Sequence, residues 1–141
     1  MCTPAGWAGE ARLAYSWPDA EAKARAALAF LRRRADEAGV AVAEWHEEYF
    51  GVNAYAGSAV GRDEACEPPE VIGRLAWRTA DPESAGRVSR EVGVLGLSGP
   101  PTISGFGRGR DGRPTQLLAV EPFYVDKGLV DSQVRVEVEE V

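Results

Sequence analysis

The sequence predicts an α+β fold, a ferredoxin-like two-layer sandwich ordered β-α-β-β-α-β with one further strand at the C-terminus. Three observations predict it. Two segments carry apolar residues at steps of three and four, the period of a helix with one buried face. Segments rich in Val, Trp, Tyr and Phe lie around them, one in clear alternation. The length, 141 residues, suits a single domain over residues 1–141 that buries its own core.

The elements follow in order. Ala11 to Ser16 reads as a short first strand. The helix from Asp19 to Ala38 places Ala20, Ala24, Ala27, Leu28, Leu31, Ala35 and Ala38 on one stripe. Ser16 and Asp19 have capping-box spacing, and Pro18 suits a first turn. Asp19 and Glu21 sit at the positive end of the helix dipole, and Arg32, Arg33 and Arg34 near its negative end. Gly39 supplies the left-handed stop. Val40 to Val52 is the second strand. Glu70 to Thr79 is the third, with Val71, Leu75 and Trp77 on the core face and Glu70, Arg74 and Arg78 on the other. Asp81-Pro82-Glu83 opens a second helix with Ala85, Val88, Val92 and Leu95 at helical spacing. Gly86, Gly93 and Gly96 weaken it, and it ends between Gly96 and Gly99, before Pro100-Pro101. Thr115 to Tyr124 is the fourth strand, disturbed by Pro122. Gln133 to Val141 is the added one, with Val134, Val136 and Val138 alternating against Gln133, Arg135, Glu137 and Glu139. Two long connections remain, Asn53 to Pro69 and Gly99 to Pro114, and loops of that length are often functional.

Composition excludes several function classes. Sixteen Lys and Arg against 22 Asp and Glu leave a net charge of −6, which disfavours non-specific nucleic-acid binding and anionic membrane surfaces. Two cysteines, Cys2 and Cys66, make neither a disulfide framework nor a cysteine zinc site. One histidine, His46, excludes every site that needs two. No apolar run reaches the roughly 18 residues of a membrane span. The first residues lack the basic and apolar segments of a signal peptide, so the expected compartment is the cytoplasm, with both thiols reduced. No metal set and no dinucleotide motif is present, and no cofactor is expected.

Three constellations are candidate sites. The first is the loop from Gly99 to Arg113. Its glycines, Gly99, Gly105, Gly107 and Gly109, free the backbone to aim several N–H groups at one anion, and Arg108, Arg110 and Arg113 add charge. Against that, the loop leads into a strand and not into the helix N-terminus that phosphate loops use, which fits a plain surface loop. The second is His46. Strand alternation puts Glu44, His46 and Glu48 on one face, where a carboxylate beside an imidazole makes a general base; the plainer reading is a solvated strand histidine. The third is the strand face bearing Glu70, Arg74 and Arg78, which is either solvated or covered by another domain, with Arg74 and Arg78 facing that partner. Trp7, Trp17, Trp45 and Trp77 read as core or interface. An RNA-binding sheet face requires exposed aromatics with basic charge, and the acidic balance argues against it.

Several stretches resemble one family. Gly6-Trp7-Ala8-Gly9-Glu10 followed by Leu13-Ala14-Tyr15 resembles the "GWIGEGEISY" stretch of the acyclic terpene utilisation (AtuA-like) family. Phe50-Gly51-Val52-Asn53-Ala54-Tyr55 is similar to its "IGVDSL", and Pro69 to Arg78 to its "YEVRLRVAAR". Val88-Ser89-Arg90-Glu91-Val92 with Ser98-Gly99-Pro100 resembles "VGREVEALYTNGP". The family's Gly-Pro runs on into "GPAGGGG", whereas here Pro101-Thr102-Ile103-Ser104 interrupts the glycine run. The resemblance implies a link to breakdown of acyclic terpenes and branched acyl-CoA compounds. It also implies that the chain corresponds to the C-terminal portion of the family's core, whose larger α/β region stands before this segment. The expected role is therefore a module or small subunit that docks on a larger α/β partner, with a CoA-type ligand held at the glycine loop and no catalysis by the chain alone. The alternatives are a small enzyme or ligand-binding module using His46, Glu48 and the Gly/Arg loop, and a truncated or mis-called reading frame.

Overall fold

A computed structural model describes residues 2–52, 54–59, 67–108 and 113–138. The chain is α+β, with a five-stranded antiparallel sheet and three helices among the described residues. The elements are β1 (Cys2–Ser16), α1 (Ala20–Glu37), β2 (Glu44–Phe50), β3 (Glu70–Thr79), α2 (Pro82–Ser98), β4 (Ile103–Arg108), β5 (Thr115–Val120) and α3 (Lys127–Asp131). The strands run β2-β3-β1-β4, and β5 also pairs with β1. β4 lies along the second half of β1 and β5 along its first half.

The core follows from alternation across β1 and β3. Ala11 opposes Leu75, Leu13 opposes Gly73 and Tyr15 opposes Val71. These inward residues join Ala24, Leu28, Leu31 and Ala35 of α1 and Ala85, Val88 and Leu95 of α2 in one buried cluster. Both long helices pack on β1 and β3 and on each other. Gly9 stands opposite Trp77, and a methyl group there would lie 2.5 Å from the indole. A glycine is required at that point so that the ring can lie across β1. The Trp77 Nε1–H donates to the Ala85 carbonyl at 3.2 Å, tying β3 to α2. The Tyr15 hydroxyl is buried with no hydrogen-bond partner among the described residues, and burial pushes its pKa up to about 12. Such an unmet hydroxyl costs a fold about 1–3 kcal/mol.

Helix ends show what is local and what is not. Asp81 caps α2 from an extended backbone, its Oδ1 accepting the Ser84 N–H at 2.8 Å. Gly39 is left-handed, as the end of α1 requires. The Ser16–Asp19 capping box does not form. Ser16 is the last residue of β1, and Asp19 is left-handed (φ 58°) with no side-chain cap bond. The first N–H of α1, on Ala20, is instead met by Glu67 Oε1 at 3.1 Å, from the connection before β3.

Four strand boundaries are corrected. β1 begins at Cys2 and not at Ala11; Pro4 and Gly6 are tolerated because only β5 pairs there, across an irregularity between Pro4 and Trp7. β2 spans Glu44–Phe50 and is shorter than Val40 to Val52. The segment expected as a loop from Gly99 to Arg113 contains β4, and the strand expected to reach Tyr124 stops at Val120, before Pro122. Residues 133–138 form no strand. Their alternation is suited to a sheet, but β4 and β5, and not this segment, take the second edge of β1.

Candidate functional site: the outer sheet face

The face of the sheet turned away from α1 and α2 gathers two of the three candidate constellations. On β2, Trp45, Glu47 and Tyr49 lean toward α1. Arg32 Nη1 donates to Glu47 Oε1 at 2.8 Å, and the Arg25 guanidinium lies 4.2 Å from the Tyr49 ring centre. Alternation then sends Glu44, His46 and Glu48 to the outer face. β3 contributes Arg74, Ala76 and Arg78, set opposite Glu48, His46 and Glu44 respectively. β1 contributes Ala8, Glu10 and Arg12.

Arg74 is the centre of this face. Its Nε and Nη2 donate to Glu10 Oε2 at 2.9 and 2.8 Å, and its Nη1 donates to Glu48 Oε2. Its side chain is only 26% exposed, so the three groups hold one geometry. Glu10 also meets Arg12 at 3.0 Å, and Arg78 meets Glu44 at 3.2 Å. His46 Nε2 lies 3.5 Å from Glu48 Oε1, with the imidazole largely exposed. Between these charges Ala8 and Ala76 form the floor of a shallow depression of about 160 Å³, bounded by Glu44, His46, Arg78 and Leu117. The hydrogen bond from Arg74 holds the Glu48 carboxyl below its ordinary range.

The sign of the pH response follows. A carboxyl with a depressed folded pKa binds fewer protons folded than unfolded, so it stabilises above the ordinary value of 4.5 and that contribution is lost as pH falls. The urea midpoint of the chain is expected to hold above the ordinary carboxyl value of 4.5 and to drop as pH falls below it. Arg74→Met is expected to flatten that drop; an unchanged slope in the variant contradicts the pairing.

The chain matches the model of the family described as "Acyclic terpene utilisation family protein AtuA" over residues 1–136. It belongs to the AtuA family. No curated protein and no solved structure matches it.

In this AtuA family member the second candidate region lies elsewhere. Gly99 ends α2, its N–H donating to the Leu95 carbonyl at 2.9 Å; a methyl group on it would sit 2.4 Å from that oxygen. Gly105, Gly107 and Arg108 lie in β4, with Gly105 opposite Leu13 and Arg108 opposite Ala11. Gly109 and Arg110 fall outside the described residues. β1 separates β4 from Arg74 and Arg78, so the glycine segment and the outer arginines belong to different strands and are not neighbours in the sheet. Gly105 lines a groove of about 440 Å³ between α2 and the β1–β4 pair, with Gly93, Gly96, Val92 and Ile103. The helix glycines that weaken α2 thus open its surface beside β4.

Glu10 lies just before the strand that the sequence predicts from Ala11, and Arg12 lies within it without being singled out as a site residue. Extending the inward pattern of Ala11 and Leu13 backward by one residue places Glu10 on the outer face. Lys23 was not singled out either. Its Nζ donates to the Ser16 carbonyl and to Thr102 Oγ1, each at 2.8 Å, and fastens the end of β1 to the segment after α2. No metal-binding cluster occurs among the described residues.

Proposed function

We propose that the chain acts in acyclic terpene utilisation as a docking module, its outer sheet face covered by a larger α/β AtuA partner. Family membership supports the pathway role. The ordered charge mosaic on the outer face supports the docking role. Columns of opposite sign, Glu44 and Glu48 beside Arg78 and Arg74, give a partner a fixed register, and the small floor at Ala8 and Ala76 admits a protruding side chain. The element order, with β3 between β2 and β1 and β1 between β3 and β4, supports reading the domain as ferredoxin-like. In this reading the chain is a subunit of a cytoplasmic assembly handling branched acyl-CoA compounds. Gly99, Gly105, Gly107, Arg108, Gly109 and Arg110 then reach toward the partner's pocket and hold an anionic group such as a CoA phosphate.

Co-expression with the larger α/β protein tests it. A co-purifying complex is expected, and Arg74→Glu is expected to weaken it by about tenfold or more, because reversal leaves three carboxylates together. A chain that ignores the partner at micromolar concentration sinks the proposal. The approach of His46 to Glu48 favours a second reading, a small enzyme with an imidazole base. Turnover of an acyl-CoA panel by the pure chain, abolished in His46→Ala, decides for that reading.

A further inference from the structure

The two outer edges of the sheet are built differently. β2, Glu44–Phe50, carries Glu44, His46, Glu47 and Glu48, a charged edge of the kind that resists strand addition. β5, Thr115–Val120, has no ionisable side chain and no proline. Among the described residues β5 pairs only with β1, so its other edge presents backbone N–H and C=O groups with no ladder to enter. Leu118 is 61% exposed and Val120 73%, and Phe123, Tyr124 and Leu129 beyond them are open as well. A net charge of −6 opposes indiscriminate association, which makes an uncharged edge on this chain a directed feature.

We propose that the β5 edge pairs with the β5 edge of a second copy, antiparallel about a two-fold axis, joining the two sheets. A two-fold interface must be complementary to itself. β5 meets that condition in its flanking charges. Arg113 precedes the strand, Glu121 follows it, and Leu117 lies midway between them. With Leu117 on the axis, Arg113 of each copy stands opposite the partner's Glu121, while the uncharged residues between pair with one another. The exposed Leu118 of each copy then stands opposite Gln116 and diagonally beside the other Leu118, and Val120 stands opposite Pro114, so both lose contact with water. The seam runs along the β5 edge and shares only Leu117 with the depression on the Arg74 face, so the two associations are separable by substitutions at Leu118 and Arg74.

Sedimentation of the full chain over a concentration series tests the proposal. A dimer is expected. Leu118→Lys is expected to raise its dissociation constant by about tenfold or more, by placing charge in the seam. Because Leu118 is exposed in the single chain, the variant should keep its far-UV spectrum. Arg113→Glu is expected to weaken the dimer by setting two carboxylates together, and Arg113→Glu with Glu121→Arg to restore it, which a general effect on folding does not do. Arg74→Glu should leave the dimer intact. A chain that stays monomeric at about 100 μM, well above the dissociation constants of ordinary specific dimers, overturns the proposal. So does a dimer indifferent to both Leu118→Lys and the charge exchange.

Discussion

Trp77→Ala is expected to destabilise the chain by about 3–5 kcal/mol, the range for removing a large buried aromatic. The indole is 2% exposed and lies across Gly9, with the Trp45 ring 6.3 Å away centre to centre. Its loss empties the space that the glycine leaves open and strips the Ala85 carbonyl of its N–H donor. Since a domain of this kind has about 5–15 kcal/mol in all, the variant should lose a large share of its stability. Trp77→Phe keeps most of the volume and loses the N–H, and should cost about 1–2 kcal/mol. Urea denaturation of both variants checks the pair. Equal losses would show that the hydrogen bond and not the packing fixes β3 to α2, against the geometry described.

Leu75→Ala is expected to cost about 2–5 kcal/mol, and Arg74→Ala, one residue earlier, only about 1 kcal/mol. Leu75 is fully buried opposite Ala11 in the core cluster. Arg74 looks the other way, onto Glu10 and Glu48 at a part-exposed site whose ion pairs are screened by water. Two adjacent residues thus report on the two faces of one strand. Denaturant midpoints with an unchanged slope give both numbers. A larger loss at Arg74 than at Leu75 would reverse the faces of β3 and remove the outer charge mosaic with them.

The parts of the fold that were legible share a cause. The stripe from Ala20 to Ala35 repeats at the helical period, and all its named members are buried in α1. Glu70 to Thr79 alternates, and the strand has those bounds with every second residue buried. Asp81, Pro82 and Ser84 form a cap within four residues of chain. In each case the signal and the structure span the same few residues. Of the candidate site, the shared face of Glu44, His46 and Glu48 and the outward turn of Arg74 and Arg78 were read from alternation alone. The partners of Arg74 were not, because Glu10 stands 64 residues away in the chain.

The sequence by itself therefore determined the two long helices, the faces of β2 and β3, the family and the acidic balance. Tertiary structure decided which segments became strands at the far edge. The run Ile103–Arg108, with two glycines among its six residues, is a poor strand by propensity, yet it pairs with β1. Gln133 to Val138 has the stronger alternation and pairs with nothing described. Tertiary structure also chose Glu67, and not Asp19, to meet the first amide of α1. The physical reason is that a helix closes its hydrogen bonds within one turn, so its period is enough to specify it. A strand must borrow its hydrogen bonds from another segment, and which edge remains open for it is settled only when the rest of the sheet has formed.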